Sequence, residues 1–174
     1  MIQPDYRVLL DEEIWAYMDR SDSFYPPDAV SLTIDQQRAV YNRMCAAFHQ
    51  PHPDGVRTWD VAFGGVPCRV YEADTSAITV VYYHGGGFIV GGLDSHDDVC
   101  AEICAATGYR VISVDYALAP EAVFPACFND AWAAFQAIAA AHGGGIVLAG
   151  DSAGGNLAAA VAHTARASFQ GRIA

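Results

Sequence analysis

Ser152 has the sequence context of a nucleophile. It stands in the stretch Gly150-Asp151-Ser152-Ala153-Gly154, which follows the apolar residues 146–149 and precedes an alanine-rich segment. This order predicts a buried strand, a sharp turn and a helix. A serine at the tip of such a turn presents its hydroxyl above the sheet, and small flanking residues let strand and helix approach each other. The helix that follows directs free N–H groups at negative charge formed beside Ser152.

A glycine-rich segment supplies the second half of such chemistry. The β-rich run 78–83 stops at His84-Gly85-Gly86-Gly87-Phe88. Glycines after a strand can turn their N–H groups toward a substrate oxygen, which would form an oxyanion hole together with the N–H of Ala153. The sequence His-Gly-Gly-Gly recurs at 142–145. There it lies between a helical segment and a strand and predicts a helix cap and a connecting loop.

Four blocks of sequence share the order and spacing found in one enzyme family. They resemble the hormone-sensitive-lipase-like, or family IV, esterases. The blocks are His84–Phe88, Gly92–Asp97, Asp115–Glu121 with Phe124–Ala126, and Gly150–Leu157.

That resemblance implies an α/β-hydrolase fold and hydrolysis of short- to medium-chain carboxylic esters. Ser152 would be the nucleophile, and the N–H groups of Gly86, Gly87 and Ala153 would hold the oxyanion. Four further residues are expected to support the loops through hydrogen bonds: His84, Gly85, Asp115 and Asp151. For Asp151 an ordinary turn aspartate is an alternative. The family often has arginine where Ala117 stands. Because alanine carries no charge, we do not expect a salt bridge at this position.

The elements that would position these residues follow from the hydrophobic pattern. Two runs joined by Gly64-Gly65 predict a β-hairpin over 56–63 and 66–73. Strands and helices then alternate, which predicts a mostly parallel sheet flanked by helices. The predicted strands are 78–83, 110–115 and 146–149, and the predicted helices are about 95–107, 128–141 and 156–167. In the resembled family these would be the first five strands of the fold.

The amino-terminal residues predict two helices. One apolar stripe runs through 6–20, and a capping box at Thr33 and Gln36 opens a second helix that ends near Pro51. The apolar face of the second helix contains Ile34, Tyr41, Met44, Cys45 and Phe48. By the resemblance, residues 1–50 are expected to form a cap over the site and residues 51–174 a partial α/β-hydrolase core; simple packing helices are the alternative.

Composition limits the partners. A net charge of −11, with nine arginines and no lysine, argues against nucleic acid and anionic membranes. The first five residues lack the basic start and apolar core of a secretory signal, so the cytoplasm is the expected compartment. The five cysteines form no paired framework and predict reduced thiols, with no metal site and no cofactor.

The sequence after Ser152 lacks the other members of a triad. A serine esterase of this fold needs an acid and then a histidine after the nucleophile. The 22 residues after Ser152 contain His163 but no Asp or Glu, and His163 would lie about 16 Å along the helix. The chain therefore resembles the amino-terminal half of an esterase, and we expect little activity from it alone. We also expect its last strand to pair with a second copy or with a complementary carboxyl-terminal fragment.

Three interpretations remain open at this stage. The chain is a carboxylesterase or part of one, acting on a small-molecule ester. It is a binding protein on the same fold, as the plant gibberellin receptors are. It is an inactive structural fragment.

Overall fold

The computed structural model describes residues 6–169 and 171–173. Two short 3-10 turns, Ala29–Ser31 and Asp94–His96, join the main elements. The helices are α1 (Tyr6–Leu9), α2 (Glu12–Asp22), α3 (Ile34–Phe48), α4 (Asp97–Thr107), α5 (Ala126–Ala141) and α6 (Ala153–Ala165). The strands are β1 (Arg57–Phe63), β2 (Val66–Glu72), β3 (Ile78–Tyr83), β4 (Arg110–Val114) and β5 (Gly145–Gly150).

The five strands form one mixed sheet in the order β1-β2-β4-β3-β5. The predicted hairpin is confirmed, because β1 and β2 pair antiparallel up to Phe63 and Val66 around Gly64 and Gly65, both at positive φ. Strand β3 runs parallel to both β4 and β5, as the alternation of strands and helices predicts. The alternating strands and helices are therefore confirmed, with element ends displaced by one to three residues from most predictions. The sheet is mixed rather than mostly parallel, because β2 pairs antiparallel with both β1 and β4.

Helices cover both faces of the sheet. Helices α5 and α6 lie on one face, where Phe135, Ile138 and Val161 pack against Val81 and Ile112. Helix α4 covers the other face, where its two buried cysteines, Cys100 and Cys104, contact the opposite side of the strands. Because β3 is buried almost throughout, it forms the centre of the core, and its carboxyl end has a fixed position.

The second His-Gly-Gly-Gly segment connects two elements, as predicted. Helix α5 ends at Ala141 and β5 begins at Gly145. The residues between them therefore lie at the amino end of β5, at the opposite end of that strand from Ser152. All five cysteines are free. No helix in the described part of the chain has the length and apolar character needed to cross a membrane.

The prediction of one helix over 6–20 is wrong. The Asp11 carboxylate accepts a hydrogen bond from the N–H of Ile14 at 2.9 Å and so begins a new helix, α2, after a break at Leu10. The apolar stripe is not buried either, because Val8 is 80% exposed and no residue of α2 is buried. Local capping outweighs the periodicity here because the segment packs against little of the core.

Helix α3 follows its sequence signals closely. Both hydrogen bonds of the Thr33–Gln36 capping box are present. The five residues of the predicted apolar face are half-buried, and the buried residue of the helix is Val40. The assignment of residues 1–50 to a cap stays a prediction.

Strand β5 lies at the outer edge of the sheet. The N–H of Ile146 donates outward to the carbonyl of Arg172 at 2.6 Å, and Ile146 forms a single parallel bridge with Ile173. Since backbone groups alternate in direction along a strand, Leu148 presents its N–H and C=O to the same outer side, beyond the bridge. This edge can accept another strand.

We predict that the chain self-associates through β5. Light scattering at increasing micromolar concentration should show a rising mass, and the amide of Leu148 should exchange more slowly with deuterium as association proceeds. The amide of Val147 is the matched control, because it faces β3 and should stay protected at all concentrations. A clean monomer, with Leu148 exchange independent of concentration, would contradict the prediction.

Candidate active site

The serine turn and the glycine loop meet at the carboxyl ends of two neighbouring strands. Tyr83 at the end of β3 pairs with Gly150 at the end of β5, in a parallel register. The residues that follow each strand therefore leave the same edge of the sheet side by side. The sequence contains both motifs, and the pairing of β3 with β5 brings them together in space.

Ser152 has the backbone conformation of a sharp strand-to-helix turn. Its φ is 51° and its ψ is −116°, a region that non-glycine residues rarely adopt and that costs on the order of 1–3 kcal/mol. Helix α6 begins at the next residue, Ala153, and within the described residues the Ser152 side chain makes no capping hydrogen bond to it. Ser152 is exposed, so its hydroxyl remains available at the positive end of the helix dipole.

Glycine is required at two positions around this turn and loop. Gly86 has a φ of 117°, and a side chain there would overlap the Val90 carbonyl oxygen. Gly154 sits against the carbonyl of Tyr83, and a Cβ at that position would overlap it. The bare backbone of Gly154 thus allows α6 to approach the end of β3 closely.

Asp151 joins the two motifs. Its Oδ1 atom accepts hydrogen bonds from the N–H of Gly85 at 2.8 Å and from the hydroxyl of Tyr82 at 3.0 Å. The Nε2 atom of His96 lies 3.3 Å from the same oxygen. The residue beside the serine is therefore anchored to the first glycine of the loop.

His84 is buried beneath the loop. Its Nδ1–H donates a hydrogen bond to the Gly85 carbonyl oxygen at 2.7 Å. The ring stacks on Tyr116 with centroids 4.3 Å apart, and the Tyr116 hydroxyl donates to the His84 carbonyl at 2.6 Å. Burial lowers the pKa of His84 to about 4, although the bond to Gly85 opposes this shift. The imidazole is therefore neutral at pH 7 and acts as a packed support of the loop.

Asp115 does not support the loops by hydrogen bonding as expected. Within the described residues its carboxylate makes no hydrogen bond to the glycine loop or to the serine turn. Strand β3 separates β4 from the serine turn at the end of β5, whereas the glycine loop leaves β3, the neighbour of β4. It lies instead beside Gly92 and the side chain of Arg69, and burial raises its pKa. At Ala117, where the family often has arginine, the backbone N–H donates to Asp130 at 2.9 Å.

Arg38 makes hydrogen bonds near the site that no sequence motif predicts. From α3 it donates to the Ile89 carbonyl at 2.8 Å, to the Ala119 carbonyl at 3.0 Å, and to both carboxylate oxygens of Glu121 at 2.7 and 2.8 Å. These bonds lower the pKa of Glu121 to about 2. Arg38 thus fastens α3 to the far end of the glycine loop. An isolated arginine in a polar helix stretch carries no local signal of such a role.

An apolar cavity of about 610 Å³ opens beside the glycine loop. Gly87 and Phe88 of the loop form one wall, and Leu157 and Ala160 of α6 form another. Phe128 of α5 also contributes. The cavity has the size of a small-molecule site and an almost wholly apolar lining.

Comparisons with a family model and with known proteins point to the same family. Residues 80–174 match the family model described as alpha/beta hydrolase fold. Esterase LipI of Mycobacterium tuberculosis is 42% identical over 153 residues, covering 78% of this chain and 47% of LipI. Carboxylesterase NlhH of the same organism is 46% identical over 110 residues, covering 58% of this chain and 34% of NlhH. The chain thus spans half or less of the length of these relatives.

Solved structures agree with the sequence matches. An esterase from the bacterial hormone-sensitive lipase family superposes with a TM-score of 0.79 at 32% identity, over 91% of this chain and 53% of that one. The Pyrobaculum calidifontis esterase superposes with a TM-score of 0.75 at 34% identity, over 82% of this chain and 51% of that one.

We predict that Gly154→Ala strongly destabilises the fold. The added methyl would collide with the Tyr83 backbone, which cannot move aside like a side chain, so we expect a loss of about 3 kcal/mol or more in urea unfolding. Gly143→Ala is the matched control, because nothing lies within 4 Å of its Cβ position. Equal stability of the two variants would contradict this account of the close approach.

We predict that His84 makes stability depend on pH. Its folded pKa of about 4 lies below the ordinary value of 6.5, so its contribution is complete above pH 6.5 and is lost as the pH falls toward 4. Between pH 7 and pH 5 the loss should be about 2 kcal/mol.

His84→Gln should remove this part of the pH dependence in urea unfolding. His163→Gln, on the exposed surface of α6, should leave it unchanged. If His84→Gln and the parent chain lose equal stability between the two pH values, the buried neutral imidazole is not the cause.

Proposed function

Because the chain belongs to the hormone-sensitive-lipase-like esterases of the α/β-hydrolase fold, we propose that it supplies the nucleophile and the oxyanion-binding amides of a serine carboxylesterase. The observation that carries the proposal is the bond from the Gly85 N–H to Asp151. That bond ties the serine turn to the glycine loop at the edge where both leave the sheet.

In the proposed reaction Ser152 attacks the carbonyl carbon of an ester. The carbonyl oxygen becomes an oxyanion, which accepts hydrogen bonds from the N–H groups of Gly86, Gly87 and Ala153. Such donors favour the transition state because they are fixed before the charge develops, and one donor is typically worth about 3–4 kcal/mol. The amino end of α6 adds its dipole to the same place.

The apolar cavity supports an apolar substrate. It begins at Gly87, one of the proposed oxyanion donors, so a substrate held there would extend from the reacting carbonyl into the cavity. Its walls of aromatic and aliphatic side chains favour hydrocarbon over charged groups. We propose carboxylic esters with short to medium acyl chains as substrates.

The proton of Ser152 requires a base, and within the described residues no side chain makes a hydrogen bond to the Ser152 hydroxyl. His163 is exposed on α6, and the helix rise places it about 16 Å along the axis from Ser152. We propose that the base and its carboxylate partner come from outside these 174 residues, and that the chain alone retains at most about 10³–10⁴-fold catalysis over water.

Complementation tests the proposal. The purified chain should hydrolyse 4-nitrophenyl butyrate only weakly, and adding the carboxyl-terminal portion of LipI should raise the rate. Ser152→Ala should abolish the complemented activity, and a fluorophosphonate probe should label Ser152 in the mixture. Ser168→Ala is the matched control, because Ser168 is exposed beyond the end of α6 and should not affect the rate.

Three results would contradict the proposal. Full turnover by the chain alone would show that a base is present within it. Complemented activity that survives Ser152→Ala would place the nucleophile elsewhere. Failure of the fluorophosphonate to label Ser152, together with tight binding of a small ligand, would favour a binding protein on this fold.

A further inference from the structure

Two histidines and an aspartate that take no part in the proposed esterase reaction converge on one point. His49 and His52 follow the end of α3, and Asp97 is the first residue of α4. The Nε2 atoms of His49 and His52 lie 3.4 and 2.6 Å from the same oxygen, Oδ2 of Asp97. The three ligand atoms all lie within 4.8 Å of one another. Two histidines and an aspartate at least 45 positions away from them thus present three metal-binding atoms to one point.

The histidine segment is held in place before any ligand arrives. Pro51 and Pro53 alternate with the histidines and restrict the backbone of this stretch. The N–H of Gln50 donates to Asp98 at 3.0 Å, which ties the segment to the first turn of α4. His52 also packs edge-on against Tyr71, with ring centroids 6.1 Å apart. The two imidazoles therefore meet Asp97 with little freedom left to lose.

The other oxygen of Asp97 is held by groups that would form an outer shell. Its Oδ1 accepts from the Tyr71 hydroxyl at 2.7 Å and from Arg69 at 3.0 Å. These bonds orient the carboxylate and leave Oδ2 directed at the histidines. Arg69 is also shared with Asp60 and Asp94, so its charge is neutralised by more than Asp97. Asp97, Asp98 and the two carboxylates bound to Arg69 thus outnumber the one guanidinium of this region, which favours a cation.

We propose that His49 Nε2, His52 Nε2 and Asp97 Oδ2 bind one divalent transition metal ion of the Zn²⁺ class. Two imidazoles and a carboxylate are a ligand set that Zn²⁺ accepts in tetrahedral geometry. Ligand atoms about 2.1 Å from such an ion lie about 3.4 Å apart. His49 and Asp97 already have this separation, and His52 must withdraw by under 1 Å. The partly exposed imidazoles leave the fourth position to water.

Such an ion would connect the amino-terminal helices to the core. Its ligands come from the segment after α3 and from the start of α4, so binding cross-links these two parts of the chain. Because the ion binds the folded chain, it raises the unfolding temperature in a concentration-dependent way. This site is independent of Ser152 and of the proposed esterase reaction.

Direct metal titration tests the site on the untagged 174-residue chain. Calorimetry with Zn²⁺ should give one ion per chain, and Co²⁺ should give the visible absorption of a four-coordinate site. The absence of a thiolate-to-cobalt charge-transfer band would separate this site from binding at Cys45 or Cys127. His49→Ala and His52→Ala should each weaken binding at least tenfold. Circular dichroism of each variant would show that the fold is retained.

The matched control is His163→Ala, which removes an exposed imidazole far from the cluster along the sequence and should not change the affinity. Asp97→Asn adds a second test. It keeps the shape of the side chain and removes the charge that the metal needs, so it should weaken Zn²⁺ binding. The proposal fails if no ion binds at micromolar concentration. It also fails if neither His49→Ala nor His52→Ala weakens binding, or if His163→Ala weakens it equally.

Discussion

The carboxylate of Asp151 sets the constraint on which the site depends. It accepts the N–H of Gly85 and the hydroxyl of Tyr82, so the turn that carries Ser152 and the loop that carries the glycines cannot separate without breaking these bonds. Hydrogen bonds to a charged acceptor are stronger than neutral ones, which suits a junction between two irregular segments. The parallel pairing of β3 with β5 supplies the frame, and Asp151 fixes the distance within it.

The amino-terminal region is attached to this frame by polar contacts more than by apolar burial. Helix α3 buries one residue, Val40, whereas Arg38 binds two backbone carbonyls and Glu121. The segment after the helix reaches α4 through His52 and Gln50. Polar anchors of this kind hold a segment in one orientation while adding modest stability. Helix α5 differs, because it is held by apolar burial in the core.

Agreement between prediction and structure was closest where local chemistry and burial acted together. The hairpin turn at Gly64, the capping box at Thr33 and the buried strand β3 each combine a residue preference with a matching environment. Agreement was poorest before residue 20, where the apolar stripe has almost nothing to pack against, and at Asp115. The expectation for Asp115 rested on its place at a strand end, but the strand order puts β3 between it and the serine turn.

The sequence by itself determined the two motifs of the proposed chemistry and the elements that carry them, because the proposed nucleophile turn and oxyanion loop need glycine at fixed offsets from a strand. Only the tertiary structure decided which groups meet. The contact of Asp151 with Gly85, the attachment of Arg38 to the loop, and the convergence of His49 and His52 on Asp97 join residues 45 to 83 positions apart. No local pattern encodes such distances, since they follow from strand order and from how the helices pack on the sheet.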